Sequence, residues 1–175
     1  MRAVTATARG DSDRQRDRER TECGALLAWE IPPLFKASED GDEKEVGRLL
    51  MGGVKPNSPD ELNHMGWSPL HVAAQKGHAA VCELLLKAGA DIEYQHPETG
   101  FTALMVAAQL GQAAACELLL KKGADTEYQT PEFGATALHL AVQSLLNPDD
   151  EPGKLQTLQV LLRHQASVNA VDSAG

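Results

Sequence analysis

His64, His71 and His78 recur every seven residues, and Cys82 follows; side chains of these types are zinc ligands in other settings. Structural zinc sites favour compact Cys/His pairs, and no such pair is present here. Each histidine also has its own place in a repeating pattern, so the spacing needs no metal to explain it. Cys82 and Cys116 lie 34 positions apart at equivalent points of that pattern, with Cys23 alone near the start. Neighbouring helices pack about 8–10 Å apart, beyond the ~7 Å Cα separation a disulfide bridges, so the first two read as small core residues. The 25 acidic residues are plentiful, but none stands in a GxSxG, HExxH or phosphate-cradling glycine motif. No catalytic residue, metal ligand or cofactor site is expected.

The elements that position these residues come from a duplication. GWSPLHVAAQKGHAAVCELLLKAGADIEYQHPET at 66–99 and GFTALMVAAQLGQAAACELLLKKGADTEYQTPEF at 100–133 agree at 23 of 34 positions without a gap. Self-similarity at this period marks stacked supersecondary units, none able to bury its apolar face alone. Ser68, Thr102 and Thr136 are placed to cap helix N-termini with a hydroxyl, and Pro69 suits a first helical position. Val72-Ala73-Ala74 and Val106-Ala107-Ala108 are small enough for close helix approach, and Gly77 and Gly111 end those helices. A second helix in each unit carries Leu84-Leu85-Leu86 or Leu118-Leu119-Leu120 and ends at Gly89 or Gly123, residues suited to a left-handed cap. Glu83–Lys87 and Glu117–Lys121 are i,i+4 pairs in the favourable order. Helices are predicted at 33–40, 43–51, 69–76, 79–87, 103–110, 113–121, 137–146 and 154–163, with ends good to ~2–4 residues.

The strings SPLHVAAQKG at 68–77, TALMVAAQLG at 102–111 and TALHLAVQSL at 136–145 resemble the helix-opening signature of the ankyrin repeat. VCELLLKAGAD at 81–91 and ACELLLKKGAD at 115–125 are similar to its second half, and LQVLLRHQAS at 158–167 is a degenerate copy. LFKASEDGDEKEVGRLLMGG at 34–53 resembles a divergent first repeat, with Leu49-Leu50 matching Leu84-Leu85 one residue adrift. The resemblance implies an all-α ankyrin-repeat solenoid: stacked helix–turn–helix units with hairpin-like finger loops, in repeats near 33–63, 64–98, 99–132 and 133–172. It also implies His71–Ser68 and His139–Thr136 hydrogen bonds, with none where Met105 replaces histidine. Ala103 and Ala137 replace the usual proline. Aligning Gly153 with Gly77 leaves an insertion, LLNPDDEP at 145–152, which reads as a solvated turn; a tolerated insertion and a partner contact are both open. Gln165 stands where glycine is expected, so the C-terminal end is expected to be the softest part of the array.

Charge is unevenly placed. Residues 1–22 hold six arginines and five acids, a balance of +1, and the remainder holds ten bases against twenty acids, a balance of −10. Residues 1–30 therefore form a mixed-charge arm too poor in apolar residues to fold alone, preceding a repeat domain at 31–175. The acidic remainder would repel phosphates, so nucleic acid is not an expected partner. No apolar run approaches the ~18 residues of a membrane span, and no secretory signal is visible, so the location expected is cytoplasmic, with the nucleus open. NAVDSAG at 169–175 matches the linker before a further repeat, so the chain is expected to be a fragment of a longer protein.

The resemblance makes the array a non-catalytic, monomeric module for an intracellular protein partner, bound on the concave face built from finger tips and first helices. By position that face carries Trp67, Gln75, Lys76, Tyr94, Phe101, Gln109, Leu110, Tyr128 and Gln143. Tyr94 and Tyr128 also suit a packing role between fingers, and for Trp67 and Phe101 an interface role and a packing role are both open. Two other readings stand beside this one: the ankyrin portion of a larger enzyme, ubiquitin-ligase adaptor or channel, and a spacer whose face would show no contiguous apolar patch.

Overall fold

A computed structural model describes residues 31–58, 61–63, 65–146 and 152–164. The 1–30 arm, Cys23, His64 and Gln165 lie outside the described residues. Eight helices are present among those described, with no strand: α1 Pro33–Asp40, α2 Glu43–Met51, α3 Pro69–Lys76, α4 Ala79–Lys87, α5 Ala103–Gln109, α6 Ala113–Lys121, α7 Ala137–Leu145 and α8 Pro152–Arg163. They form two layers. The odd-numbered helices contact one another in chain order, as do the even-numbered ones, and each odd helix packs on the even helix that follows it.

The local causes match the sequence signals. Ser68, Thr102 and Thr136 have extended backbones, and each hydroxyl accepts the backbone N–H three residues on, at His71, Met105 and His139. Two histidines complete the motif: Nδ1 of His71 lies 2.7 Å from the Ser68 hydroxyl, and Nδ1 of His139 lies 2.9 Å from that of Thr136. Met105 can offer no such bond, and it is buried instead. On the outer layer Lys87 pairs with Glu83 at 3.0 Å and Lys121 with Glu117 at 2.7 Å.

Packing between units depends on the glycines that end α1 and α5. Gly41 has φ 72°, and a Cβ there would meet the His78 ring at 2.7 Å. Gly111 has φ 73°, and a Cβ there would lie 2.9 Å from Lys154 Cγ. The residue after the interhelix turn of one unit thus sits over the terminating glycine of the unit before. This close approach brings Ala73, Ala74, Ala107 and Ala108 into the core with no exposed surface, beside Leu85, Cys82, Cys116 and Leu119. Burial pushes both thiols up to about 12, which leaves them unreactive as nucleophiles.

Four details differ from the sequence reading. Leu145 belongs to α7 and Pro152 opens α8, so within the expected eight-residue insertion only 146–151 lies between the helices, and 147–151 is outside the described residues. Gly153 keeps the register of Gly77 but not its conformation: it is helical, and a Cβ there would lie 2.5 Å from the Gly111 carbonyl oxygen. Glycine is needed there for close approach rather than for a left-handed turn. In the first unit the match is not adrift, because α2 and α4 share a 36-residue offset that places Leu49 on Leu85. The last helix, expected to stay partly uncovered among Leu158, Val160, Leu161 and Leu162, buries Val160 and Leu161, while Leu158 is half-buried and Leu162 exposed.

Candidate partner-binding face

Each finger is a tight backbone reversal closed by one polar side chain of its own. In the first, Asn63 N–H donates to the Trp67 carbonyl at 3.1 Å, while Asn63 Oδ1 accepts the N–H groups of Met65 and Trp67. In the second, His96 N–H donates to the Phe101 carbonyl at 2.9 Å, and His96 Nδ1 accepts from the Thr99 and Glu98 amides. In the third, Thr130 N–H donates to the Ala135 carbonyl at 3.0 Å, and the Thr130 hydroxyl accepts from Ala135 N–H.

Fingers are then tied to each other. His96 Nε2 donates to the Met65 carbonyl at 2.8 Å, and the Tyr94 hydroxyl donates to the Gly66 carbonyl at 3.3 Å. The half-buried Trp67 ring lies 4.2 Å from the His96 ring and 5.3 Å from the His71 ring, centroid to centroid. Tyr94 meets the His71 ring edge-on at 5.6 Å. Trp67 and Tyr94 are therefore engaged in finger packing. Tyr128, the counterpart of Tyr94, is half-buried against the core. Burial, with the nearby Glu93 carboxylate, raises its phenol pKa.

The buried His71 is held from both sides. Its Nε2 donates to the Phe101 carbonyl at 2.9 Å, so Nδ1 is the nitrogen facing Ser68. Burial pushes the imidazole down to about 4, even though the Phe101 carbonyl favours the proton; the His96 ring adds a smaller lowering effect. His78 instead reaches the Glu39 carbonyl at 3.2 Å, in the preceding unit. The two histidines serve different interfaces and do not converge on one point.

Gln75, Lys76, Gln109, Leu110 and Gln143 are exposed at the ends of the odd helices. A groove of about 550 Å³ brings three of the expected residues together: Phe101, Gln109 and Gln143. Its second side is the tip of the third finger, with Glu132, Phe133 and Ala135. Its floor is α7, through His139, Leu140 and Val142, with Leu146 just past the helix end. Phe133, Val142 and Leu146 are all exposed.

These last three were not singled out from the sequence, yet the copies carry a signal at two of them. Phe133 stands where the preceding copy has Thr99 and Val142 where it has Ala108, while Leu146 lies in the inserted segment and has no counterpart. These two differences, both in the apolar direction, together with the insertion mark the fourth unit as distinct.

Charge on this face has one dominant sign. Across residues 91–100, 125–134 and helices α3, α5 and α7, the acids are Asp91, Glu93, Glu98, Asp125, Glu127 and Glu132, and the one base is Lys76. Glu93 accepts the Asp125 N–H at 2.8 Å. Its carboxyl pKa is raised by burial and by the Asp125 and Asp91 charges, against the lowering effect of that hydrogen bond. Among the described residues no cluster of three His, Cys, Asp or Glu could hold a metal ion, and no helix is long and apolar enough to cross a membrane.

A family model described as ankyrin repeats (3 copies) matches residues 17–96, 34–130 and 91–172. Ankyrin repeat domain-containing protein 40 of Homo sapiens is 45% identical over 60 residues, which is 34% of this chain and 16% of that protein. GA-binding protein subunit beta-2 of Mus musculus is 41% identical over 56 residues, 32% of this chain and 13% of that protein. The histone-lysine N-methyltransferase EHMT1 of Homo sapiens is 34% identical over 67 residues, 38% of this chain and 5% of that protein. The matched stretches thus span less than a fifth of each relative. With the family model covering most of the chain and the fold built of its repeating units, the chain belongs to the ankyrin repeat family.

Proposed function

We propose that this chain is a non-catalytic interaction module that holds another protein on the face formed by its finger tips and odd-numbered helices. Ankyrin repeats are in general protein–protein interaction modules. The observation that carries the reading is the groove at the third and fourth units, where exposed Phe133, Val142 and Leu146 lie beside Phe101, Gln109 and Gln143. A contiguous apolar patch flanked by hydrogen-bonding amides is how interfaces are built, and a spacer would have no use for it. Gln75, Lys76 and Leu110 extend the same face, with the Trp67, Tyr94 and Tyr128 rings bracing the fingers. The partner is a protein of the cytoplasm or nucleus, and the module works as a monomer.

A photo-crosslinking residue at position 143, compared with one at the exposed Ala114 on α6, tests this in cells. Crosslinked protein is expected from position 143 and not from position 114. Equal yields, or yield from position 114 alone, would remove the reading.

A second reading is favoured by the short share of each relative that the match covers: the module serves as the ankyrin portion of a larger enzyme, ubiquitin-ligase adaptor or channel. Both readings give this face the same work.

A further inference from the structure

We infer that the groove between the second and third fingers and α7 receives an extended protein segment with an apolar side chain flanked by lysine or arginine. This rests on the interaction reading above and names the chemistry of the partner.

Three observations converge on that occupant. The first is the apolar lining from Phe101, Phe133, Leu140, Val142 and Leu146, which accepts a side chain without polar groups. The second is charge: the second and third fingers with α3, α5 and α7 carry six acids against one lysine, with Glu132 on the groove itself. Potentials of one sign over a concavity recruit the opposite charge and repel their own. The third is a hydrogen-bond donor. His139 Nδ1 accepts the Thr136 backbone N–H at 3.1 Å, so the neutral ring carries its proton on Nε2. His139 lines the groove, and its Nε2 has no hydrogen-bond partner among the described residues. The same atom of His71, two units earlier, donates to a backbone carbonyl, that of Phe101. An incoming main chain offers His139 that same acceptor. An apolar small molecule would leave the donor unmet, and a nucleic acid would meet six carboxylates.

The test uses the full chain and two labelled synthetic nonapeptides that differ only in the flanks of a central phenylalanine, lysines in one and glutamates in the other. The lysine peptide is expected to bind at least about tenfold more tightly by fluorescence anisotropy. That preference should shrink between about 0.05 and 0.5 M salt as charges are screened. Leu146→Ser and Glu132→Gln should each weaken lysine-peptide binding severalfold with an unchanged melting temperature. Glu83→Gln on α4 should change nothing. Equal binding of the two peptides, or indifference to Leu146→Ser, overturns the proposal. Self-association of the chain in sedimentation that Leu146→Ser abolishes assigns the groove to a second copy and also overturns it. Crosslinking at position 143 to segments without basic residues would leave the interaction module standing and remove this partner class. Crosslinking at position 114 alone would remove both.

Discussion

His71 and Phe101, thirty positions apart in the chain, are joined by a 2.9 Å hydrogen bond from the imidazole Nε2 to the backbone carbonyl. Through this bond the motif of one unit fixes the root of the next finger, and the histidine remains neutral well below its ordinary pKa.

That neutrality has a pH signature. The folded His71 takes a proton near 4 against 6.5 for the free side chain. The unfolded chain therefore binds more protons between those values, and stability rises with pH across that window. The contribution is complete above about 6.5, declines as pH falls towards 4, and amounts to on the order of 3 kcal/mol. His71→Met, which copies the middle unit, should lose this term. In urea unfolding, the wild-type advantage over His71→Met should shrink from pH 7 to pH 4.5; a constant difference would mean that His71 titrates normally.

Core and groove leucines should separate by stability. Leu85→Ala or Leu119→Ala removes a wholly buried side chain and should cost ~2–5 kcal/mol. Leu146→Ala, at 81% exposure, should remain within about 0.5 kcal/mol. Trp67→Ala belongs between them, at ~1–3 kcal/mol, because its ring packs on His71 and His96. Denaturant midpoints at a constant m-value decide the order.

Thr157 carries a hydroxyl with no hydrogen-bond partner among the described residues, in a fully buried position on α8. Thr157→Val keeps the shape and removes the unmet polar group, so it should raise stability by about 1 kcal/mol. A lower melting temperature would show that the hydroxyl has a partner in solution.

Two glycines with positive φ should respond unequally to alanine. Gly123 has φ 95° and open space around its would-be Cβ, so Gly123→Ala should cost only the backbone strain, about 1 kcal/mol. At Gly111 the new methyl would also press on the Lys154 backbone nitrogen at 3.0 Å, so Gly111→Ala should cost clearly more. Paired thermal melts compare them directly.

Helices and caps were legible because their causes are local. Ser68, Thr102 and Thr136 announce α3, α5 and α7, and a 34-residue repeat carries that reading from unit to unit. The last pair was less legible: Gly153 looks like a helix stop, and only the nearness of the Gly111 carbonyl shows why glycine is there. The groove was half legible. Phe101, Gln109 and Gln143 follow from repeat position, whereas Phe133, Val142 and Leu146 matter through what the third finger and α7 bring together. Repeat position also gives no means of knowing that Trp67 would meet the ring of His96, a residue of the next finger.

The helices of each layer contact their neighbours in chain order, and this fixes how the molecule answers a pull. A tension applied along the stack crosses its interfaces in series, so the first to part is the weakest joint, whatever the average strength. A partner that grips Phe101 and Leu146 at once bridges two successive units and carries part of that tension itself. Occupation of the groove would then splint the third joint, and the array would stiffen there without any change in its own contacts.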